Sequence, residues 1–368
     1  MKAKAVARRL RVRELLLAAV SILAFTALVV VAELLLRRLD PHYLDRVRGA
    51  EVYSDRYGWR LRPGFAALLH DVPTTVNARG YRGALHPYER TPGKTRLLML
   101  GDSLAFGSWV RDFETFSYLL EHRSDQYEVV NLAVEGYGTD QELLELEDEG
   151  LRYHPDVVVL NICVANDPLD NYLPSWFYLR PKPHFTWDGR RLLLHDQDLR
   201  LSATRRAIQW LADESHVLNR LGELLPHASE PSLFPPVRGE VQRFNRHAAN
   251  ELTVRIACQV RAVARGGAAD LLVLLHPDRP TFEHDSQVAT TLGSALRDQG
   301  IRVEDLMEMY RAAGLSYEQV ARDGQGHLTP LGHHFVAEEI ETLLAAPPPR
   351  RNVPPSPPVR VPRSGPGG

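Results

Sequence analysis

Four segments of the chain contain residue types that suit chemistry at an acyl carbon. Ser103 lies in the tetrapeptide GDSL, Gly136 in NLAVEGYG and Asn166 in VAND, while Asp323 and His327 share the loop DGQGH. A serine hydroxyl becomes a nucleophile when an adjacent base accepts its proton. A backbone N–H at a glycine and a neutral amide both suit a negatively charged oxygen. These residue types indicate acyl chemistry if folding brings the segments together.

Each segment also has a structural interpretation when it is taken alone. Asp102 and Ser103 are both good helix N-caps. The glycine of the second segment suits a turn, and so does Asn166 followed by Asp167. The order of the segments is more informative, because each one follows a different predicted element of secondary structure. That order favours a shared site over unrelated turns.

The chain alternates strand-like and helix-like stretches over most of its length. Nearly continuous apolar runs predict buried strands at Arg96–Leu100, Glu128–Asn131, Asp156–Ile162 and Asp270–Leu275, with a weaker fifth at Ile301–Val303. Helices are predicted at Phe113–Arg123, Asp140–Gly150, Val241–Arg265 and Val288–Asp298, and a last one from Thr329-Pro330. Such alternation is typical of a parallel α/β sheet, in which ligands bind at the carboxyl ends of the strands.

In the four segments the chain resembles the SGNH hydrolases, also called the GDSL esterase/lipase superfamily. The matching residues are Ser103, Gly136, Asn166 and His327. The resemblance covers about residues 96–345, and Asp55–Gly83 is similar to the lead-in of membrane-anchored bacterial members. It implies a flavodoxin-like α/β fold, which is a three-layer α/β/α sandwich around a five-stranded parallel sheet. It also implies an enzyme that hydrolyses ester bonds.

The resemblance assigns a role to each of these residues. Ser103 attacks an ester carbonyl, His327 removes the serine proton, and Asp323 holds the imidazole. The oxyanion is held by the Ser103 N–H, the Gly136 N–H and the Asn166 side chain. The expected substrate is an acyl ester, whether a small ester, a lipid or an O-acylated glycan.

Two loops depart from the family pattern. Val164 stands where the third block commonly has glycine. Three residues separate Asp323 from His327, where two are common. We expect Gly324 and Gly326 to absorb the extra residue.

Two further functions fit the same residues. An acyl-enzyme can pass its acyl group to a sugar hydroxyl, so one alternative is an O-acyltransferase or deacetylase that acts on an extracytoplasmic polysaccharide. The other is a non-catalytic, membrane-tethered binding or assembly protein on a hydrolase scaffold. The sequence leaves the acyl chain, the alcohol and the oligomeric state open.

No metal site and no cofactor are predicted. His333 and His334 lie in the last predicted helix, but a zinc site needs three or four convergent ligands. The chain lacks an HExxH motif, a Gly-rich phosphate loop and a GxSxG elbow. His276 ends the fourth strand, where it either touches the substrate or packs in the core.

The net charge of −2 conceals three regions of different charge. Residues 1–40 carry +5, residues 347–368 carry +4, and the body between them carries −11. An acidic body argues against nucleic-acid binding, because phosphate neutralisation needs clustered lysine and arginine. The two cysteines, Cys163 and Cys258, form neither a disulfide framework nor a CxxC metal site and are expected to be buried free thiols.

The N-terminal region predicts a membrane anchor. In the run from 15 to 32 only Ser21 and Thr26 are polar, and about 18 helical residues approach the hydrocarbon thickness of a bilayer. Six basic residues precede the run and four follow it, so the positive-inside rule puts the N-terminus in the cytoplasm. We therefore expect a single-pass protein of the bacterial inner (cytoplasmic) membrane, with its catalytic domain on the periplasmic or extracellular side.

The predicted organisation has four parts. They are a cytoplasmic flank and transmembrane anchor at 1–40, a lead-in segment at 41–95, the hydrolase domain at 96–346 and a disordered Pro-rich tail at 347–368. Residues 167–240 form an insertion within the hydrolase domain. Its aromatic residues build either a substrate wall or a small separate core, and they are Trp176, Phe177, Tyr178, Phe185 and Trp187.

Overall fold

The computed structural model describes residues 2–176, 180–223, 245–284 and 287–345. The predicted Pro-rich tail at 347–368 lies outside these residues, as do Phe177 and Tyr178. The helices are α1 (Lys2–Leu39), α2 (Tyr43–Arg48), α3 (Ser103–Phe106), α4 (Phe116–Arg123), α5 (Thr139–Asp148), α6 (Asp167–Tyr172), α7 (Ala203–Glu214), α8 (His216–Glu223), α9 (Arg246–Gly266), α10 (Arg279–His284), α11 (Gln287–Asp298), α12 (Leu306–Ala312), α13 (Tyr317–Val320) and α14 (Pro330–Ala345). The strands are β1 (Glu51–Ser54), β2 (Gly58–Leu61), β3 (Ala66–Leu69), β4 (Val72–Thr75), β5 (Thr95–Leu100), β6 (Tyr127–Asn131), β7 (Val157–Cys163), β8 (Ser175–Trp176), β9 (Arg180–Pro181), β10 (His184–Trp187), β11 (Leu192–His195), β12 (Asp270–His276) and β13 (Arg302–Asp305).

The chain divides into two compact units. One combines the described residues within 1–49 and 202–231, and the other combines those within 50–201 and 232–368. Residues 202–223, which belong to the predicted insertion, therefore lie in the first unit.

The first unit is built around the long helix α1. Its stretch Arg13–Leu39 is long and apolar enough to cross a membrane, and its apolar side chains are largely exposed. The same length and composition suit a membrane anchor and a signal sequence. Near its end the Glu33 carboxylate accepts hydrogen bonds from the N–H groups of His216 at 3.0 Å and Val217 at 3.1 Å. These contacts satisfy donors that the start of α8 leaves unpaired.

The second unit contains a five-stranded parallel sheet. The strands lie in the order β13-β12-β7-β5-β6. Numbered by their own sequence order and read from the β6 edge, this is the order 2-1-3-4-5 of flavodoxin-like folds. The predicted fold class is thus confirmed, and each predicted strand overlaps an observed one. The order reverses between β5 and β7, which makes this position the topological switch point.

Helices cover both faces of the sheet. Successive strand residues point to opposite faces, so Leu98 and Val158 pack against α5, α9 and α11, while Leu97 and Val159 pack against α4, α12 and α14. Two hydrophobic cores result, one on each side of the sheet. This is the predicted three-layer α/β/α arrangement.

Two predicted helices begin later than the apolar pattern indicates. Thr115 caps α4 by accepting a hydrogen bond from the N–H of Tyr118 at 3.3 Å, so the helix starts at Phe116. Asn245 caps α9 in the same way through the N–H of Ala248 at 3.1 Å. In both cases a side-chain oxygen competes for the first helical N–H groups and sets the boundary.

The lead-in segment folds as two antiparallel hairpins, β1 with β2 and β3 with β4. Three of its side chains are fully buried in the core that α4 and α14 also line, and they are Trp59, Leu61 and Phe65. The lead-in segment therefore shares a hydrophobic core with the main sheet.

Arg96 connects the start of β5 to the chain around it. Its side chain is 1% exposed and pairs with the carboxylate of Glu128. The remaining guanidinium donors bind backbone oxygens of Tyr88 at 2.8 Å, Glu89 at 2.7 Å and Tyr153 at 2.6 Å. A planar fork of donors is needed to reach all of these acceptors at once.

We predict that Arg96→Lys lowers the free energy of unfolding by about 3 kcal/mol, because an ammonium leaves at least two acceptors of this buried guanidinium unpaired. The matched control is Arg90→Lys at the half-exposed pair with Asp156, for which a change below about 1 kcal/mol is expected. Urea unfolding followed by tryptophan fluorescence measures both. Equal losses of unfolding free energy in the two variants would contradict the special role of the buried Arg96 guanidinium.

Candidate active site

The turn from β5 into α3 presents Ser103 at the carboxyl edge of the sheet. Asp102 caps the helix, with its carboxylate accepting a hydrogen bond from the N–H of Leu104 at 2.9 Å. Gly101 has φ +157°, and a Cβ there would lie 2.6 Å from the Cβ of Ala105 and 3.0 Å from that of Asn161. The N-cap interpretation and the nucleophile interpretation of this tripeptide are therefore compatible, since Asp102 caps while Ser103 faces outward.

Ser103 and His327 meet although 224 positions separate them. The Oγ of Ser103 lies 2.8 Å from Nε2 of His327, and Nδ1 of His327 lies 2.6 Å from Oδ2 of Asp323. The imidazole is 6% exposed. A hydroxyl, an imidazole and a carboxylate in such a chain can transfer the serine proton to the ring and stabilise the charged ring that results.

The loop between Asp323 and His327 absorbs its extra residue through hydrogen bonds to one oxygen. Oδ1 of Asp323 accepts from the N–H groups of Gln325 at 3.0 Å, Gly326 at 3.2 Å and His327 at 3.2 Å. Gly326 has φ +96°, and a Cβ there would lie 2.6 Å from the backbone oxygen of Pro277. Of the two glycines expected to absorb the extra residue, Gly326 adopts the left-handed conformation.

Gly136 and Asn166 line the same pocket as Ser103 and His327. Gly136 has φ +75°, a conformation that favours glycine. Among the described residues, no protein acceptor binds the N–H of Ser103 or the N–H of Gly136. Both donors are therefore available to a negatively charged oxygen.

The Asn166 amide is held between two carboxylates. Its Nδ2 donates to Oδ2 of Asp102 at 3.0 Å and to Oδ2 of Asp170 at 3.1 Å. Asp167, the next residue, accepts from the Cys163 N–H at 2.6 Å and from both the N–H and the hydroxyl of Thr139. The Asn-Asp dipeptide thus orders the loop after β7.

Sequence reasoning missed the buried acidic cluster below Asn166. Burial raises the pKa of Asp102, raises that of Glu142 well above its usual range, and raises that of Asp170 to about 7. Lys182 forms a fully buried ion pair with Asp140 in the same region. Only the helical spacing of the acidic residues in α5 and α6 hints at this cluster, and that spacing is also typical of solvated faces.

Sequence reasoning also missed most of the residues that line the pocket, which has a volume of about 410 Å³. Among them are Trp59, His70, Trp109 and Glu135. Of the predicted aromatic cluster, Phe185 is buried in the core that α5, α9 and α11 line, and Trp187 is exposed beneath the guanidinium of Arg255. Neither lines this pocket.

The remaining histidines of interest lie outside the site. His276 is 1% exposed and bonds Oδ1 of Asn161 at 3.0 Å, and burial lowers its pKa to about 3. His333 accepts a hydrogen bond from the Phe116 N–H, and burial lowers its pKa to about 3 as well. His334 is exposed. In the described part of the chain no cluster of histidine, cysteine and acidic residues could hold a metal ion.

Both cysteines are free thiols, but they differ in exposure. Cys163 is buried, whereas Cys258 is only partly buried on α9. The expectation that both are buried is therefore wrong for Cys258, which packs against the core from α9 but stays partly exposed.

A flavodoxin-like sheet with a hydrogen-bonded serine, histidine and aspartate at its carboxyl edge has the architecture of an acyl hydrolase. The chain belongs to the GDSL-like Lipase/Acylhydrolase family, which matches residues 99–335. It is an ester-hydrolysing enzyme. The superfamily inferred from the four sequence segments is thus confirmed.

Several solved structures are similar to this chain at low identity. The acetyl xylan esterase AlAXEase shares 14% identity over 68% of this chain and 99% of its own, with a TM-score of 0.40. TesA shares 14% over 68% and 98%, with a TM-score of 0.41. A lipolytic G-D-S-L family protein of Veillonella parvula shares 11% over 68% and 100%, with a TM-score of 0.40. No curated protein matches the chain.

We predict that Gly326→Ala lowers kcat for ester hydrolysis about 10²-fold, because a Cβ at this position forces His327 and Asp323 to move and small displacements at a site are costly. Gly324→Ala is the matched control, since a Cβ there meets nothing within 4 Å. Steady-state kinetics and the melting temperature of both variants provide the check. Equal kcat values for the two alanine variants would contradict the proposed importance of this loop.

Proposed function

We propose that this protein is a membrane-anchored serine esterase that cleaves an O-acyl ester through an acyl-enzyme. The observation that carries the proposal is the hydrogen-bond chain from Asp323 through His327 to Ser103, which ends in a pocket. The N–H groups of Ser103 and Gly136 line the same pocket and bind no acceptor in the part of the chain that the structure describes. These are the groups that acyl transfer requires.

In the proposed reaction the Oγ of Ser103 attacks the carbonyl carbon while its proton passes to Nε2 of His327. Asp323 stabilises the imidazolium that forms. The N–H groups of Ser103 and Gly136 bind the oxyanion. Nε2 then returns the proton to the leaving alcohol, and the acyl group stays on Oγ. A water molecule repeats the sequence, with His327 as base, and releases the carboxylic acid.

Asn166 is the proposed third donor to the oxyanion. Its two N–H groups bind Asp102 and Asp170, so the oxyanion must share one of them. Sharing is easier when the competing carboxylate is protonated, because a neutral oxygen is a weaker acceptor than a charged one. The raised pKa values of Asp102 and Asp170 support this arrangement.

The size of the pocket favours a short acyl group. Its volume of about 410 Å³ lies near the lower end of the range for small-molecule sites. Cleavage of a series of p-nitrophenyl esters from acetyl to palmitoyl tests this directly. A rate that increases with chain length would contradict the proposal for a short chain.

We predict that Ser103→Ala lowers kcat by at least about 10⁴-fold with an unchanged melting temperature, because the hydroxyl is the nucleophile and its removal deletes the acyl-enzyme route. A fluorophosphonate probe should label the wild type at Ser103 and leave the variant unlabelled. As the matched control, Ser117→Ala should keep Ser103 labelling, since Ser117 lies on α4 and does not line the pocket.

The pH dependence of wild-type activity supplies a second test of the proposed reaction. A histidine base acts only when it is neutral, so wild-type activity should rise as the pH increases from the acid side. A flat acid limb of the pH profile would count against His327 as the base. Wild-type activity in the Ser103→Ala variant would refute the assignment of Ser103 as the nucleophile.

Membrane attachment is proposed from the exposed apolar stretch of α1. We predict that the full-length protein stays in the membrane fraction after alkaline carbonate extraction and that its intact mass includes residues 1–40. Replacing Leu23 and Leu28 by lysine should release it, because each charge at the centre of a span costs about 3 kcal/mol. A mature protein that lacks the first residues would indicate a cleaved signal sequence instead. Protease accessibility from the periplasmic side tests the predicted orientation.

A further inference from the structure

The lead-in segment contributes two side chains to the catalytic pocket, Trp59 and His70. We propose that both are positioning residues, with Trp59 orienting the Gly136 N–H and His70 holding Trp109 against the imidazole of His327. This inference rests on the proposed function, because both residues act through groups assigned there.

Trp59 fixes the peptide group that contains the Gly136 N–H. The Trp59 side chain is almost completely buried, and its indole N–H donates to the backbone oxygen of Glu135 at 3.0 Å. That oxygen and the Gly136 N–H belong to the same peptide group, which is planar and trans, so the two point in opposite directions. A bond that holds the oxygen therefore holds the N–H direction.

Tyr137 holds Trp59 from the other side. Its hydroxyl donates to the backbone oxygen of Trp59 at 2.7 Å, and the two rings meet edge to face with centroids 5.7 Å apart. The peptide before Gly136 is thus held by a rigid, buried aromatic pair. This matters because an oxyanion donor contributes most when it is already oriented before the reaction.

His70 lies at the tip of the β3–β4 hairpin. His70 and Asp71 have φ values of 52° and 62°, which are typical of a two-residue hairpin turn. The His70 ring stacks on the indole of Trp109 with centroids 4.2 Å apart and an interplanar angle of 19°. The same indole meets the His327 ring at 4.3 Å and 59°. Three rings therefore form a row that ends at the catalytic base.

Trp109 needs this support because its backbone is strained. Its φ of +65° is rare for a bulky residue and costs free energy. On the described chain its ring is held by the stack with His70 and by the guanidinium of Arg322, 5.5 Å from the ring centroid. Without the stack, Trp109 can relax and leave the His327 ring without its neighbour on that side.

Glu135 contacts both Trp59 and His70. Its backbone oxygen binds Trp59, and its carboxylate accepts hydrogen bonds from the Ser108 hydroxyl and from Nε2 of His70, the latter at 2.9 Å. The charged groups that face His70 are Glu135, Glu51 and Arg322.

The charge of His70 depends on this environment. The hydrogen bond to Glu135 raises the pKa of His70 against the opposing effect of burial, while Glu51 adds to the rise and Arg322 reduces it. The charged pair therefore persists above the usual pKa of histidine and weakens as pH rises through the raised value.

The first test replaces Trp59 by phenylalanine, which keeps a ring and removes the N–H donor. We expect kcat to fall about tenfold or more with less than a twofold change in KM, since the ester itself is bound before the oxyanion forms. Phe65→Leu is the matched control, because Phe65 is buried in the same core and does not line the pocket. Wild-type kcat in Trp59→Phe, or an equal loss of kcat in both variants at equal loss of melting temperature, would overturn the role of Trp59.

The second test replaces His70 by glutamine, with Asp71→Asn as the control at the neighbouring turn position. We expect kcat to fall about fivefold in His70→Gln and to stay at the wild-type value in Asp71→Asn, because a modest displacement of the base costs that much. Wild-type activity should also decline on the alkaline side as His70 loses its proton, and this decline should disappear in His70→Gln. An unchanged kcat and an unchanged pH profile would overturn the role of His70.

Fluorophosphonate labelling separates this inference from the proposed function. If Ser103 is not labelled in the wild type, the proposed function fails regardless of the two variants. If Ser103 is labelled and essential while Trp59→Phe and His70→Gln behave as wild type, only the inference fails. Slower labelling of Ser103 in both variants at an unchanged melting temperature supports it.

Discussion

The contact between Ser103 and His327 is the constraint on which the rest of the structure depends, because a hydroxyl and an imidazole far apart in sequence must come within hydrogen-bond distance. The parallel sheet meets this requirement by collecting loops at its carboxyl edge. Ser103 leaves β5 at the switch point, and His327 enters from the loop before α14. A Cβ at Gly332 would lie 2.2 Å from the backbone oxygen of Val320. The start of α14 is thus packed directly against the end of α13, which fixes the histidine loop between them.

The buried carboxylates below Asn166 order the site, but their burial has an electrostatic cost. Asp102, Asp170 and Glu142 are almost completely buried, and their pKa values are raised because water is excluded. Both oxygens of Glu142 lack a hydrogen-bond partner on the described chain. Uncompensated groups of this kind are expensive, and they are found where function requires them. Here two of the carboxylates hold the amide of Asn166.

Features set by adjacent residues were predictable from the sequence, whereas features set by long-range packing were not. The β strands were predictable because each is a short apolar run, and the turn at Ser103 was predictable because Gly101, Asp102 and Ser103 are adjacent. The extra residue before His327 was a recognised departure, and its accommodation at Gly326 follows from the known freedom of glycine. By contrast, the exposure of Cys258 depends on how α9 is rotated against the sheet, which the apolar pattern did not reveal.

The sequence by itself determined the family, the α/β fold, the apolar N-terminal helix and the positions of the nucleophile and base candidates, because each of these is written in contiguous residues. Only the tertiary structure decided that Trp59, His70 and Trp109 surround those groups. His70 and Glu135 are 65 positions apart, and Trp59 and Glu135 are 76 apart. The residues next to a tryptophan or histidine in a hairpin do not indicate which distant residues its side chain will contact. The packing of the lead-in hairpins on the sheet sets these contacts, and no spacing within one segment specifies them.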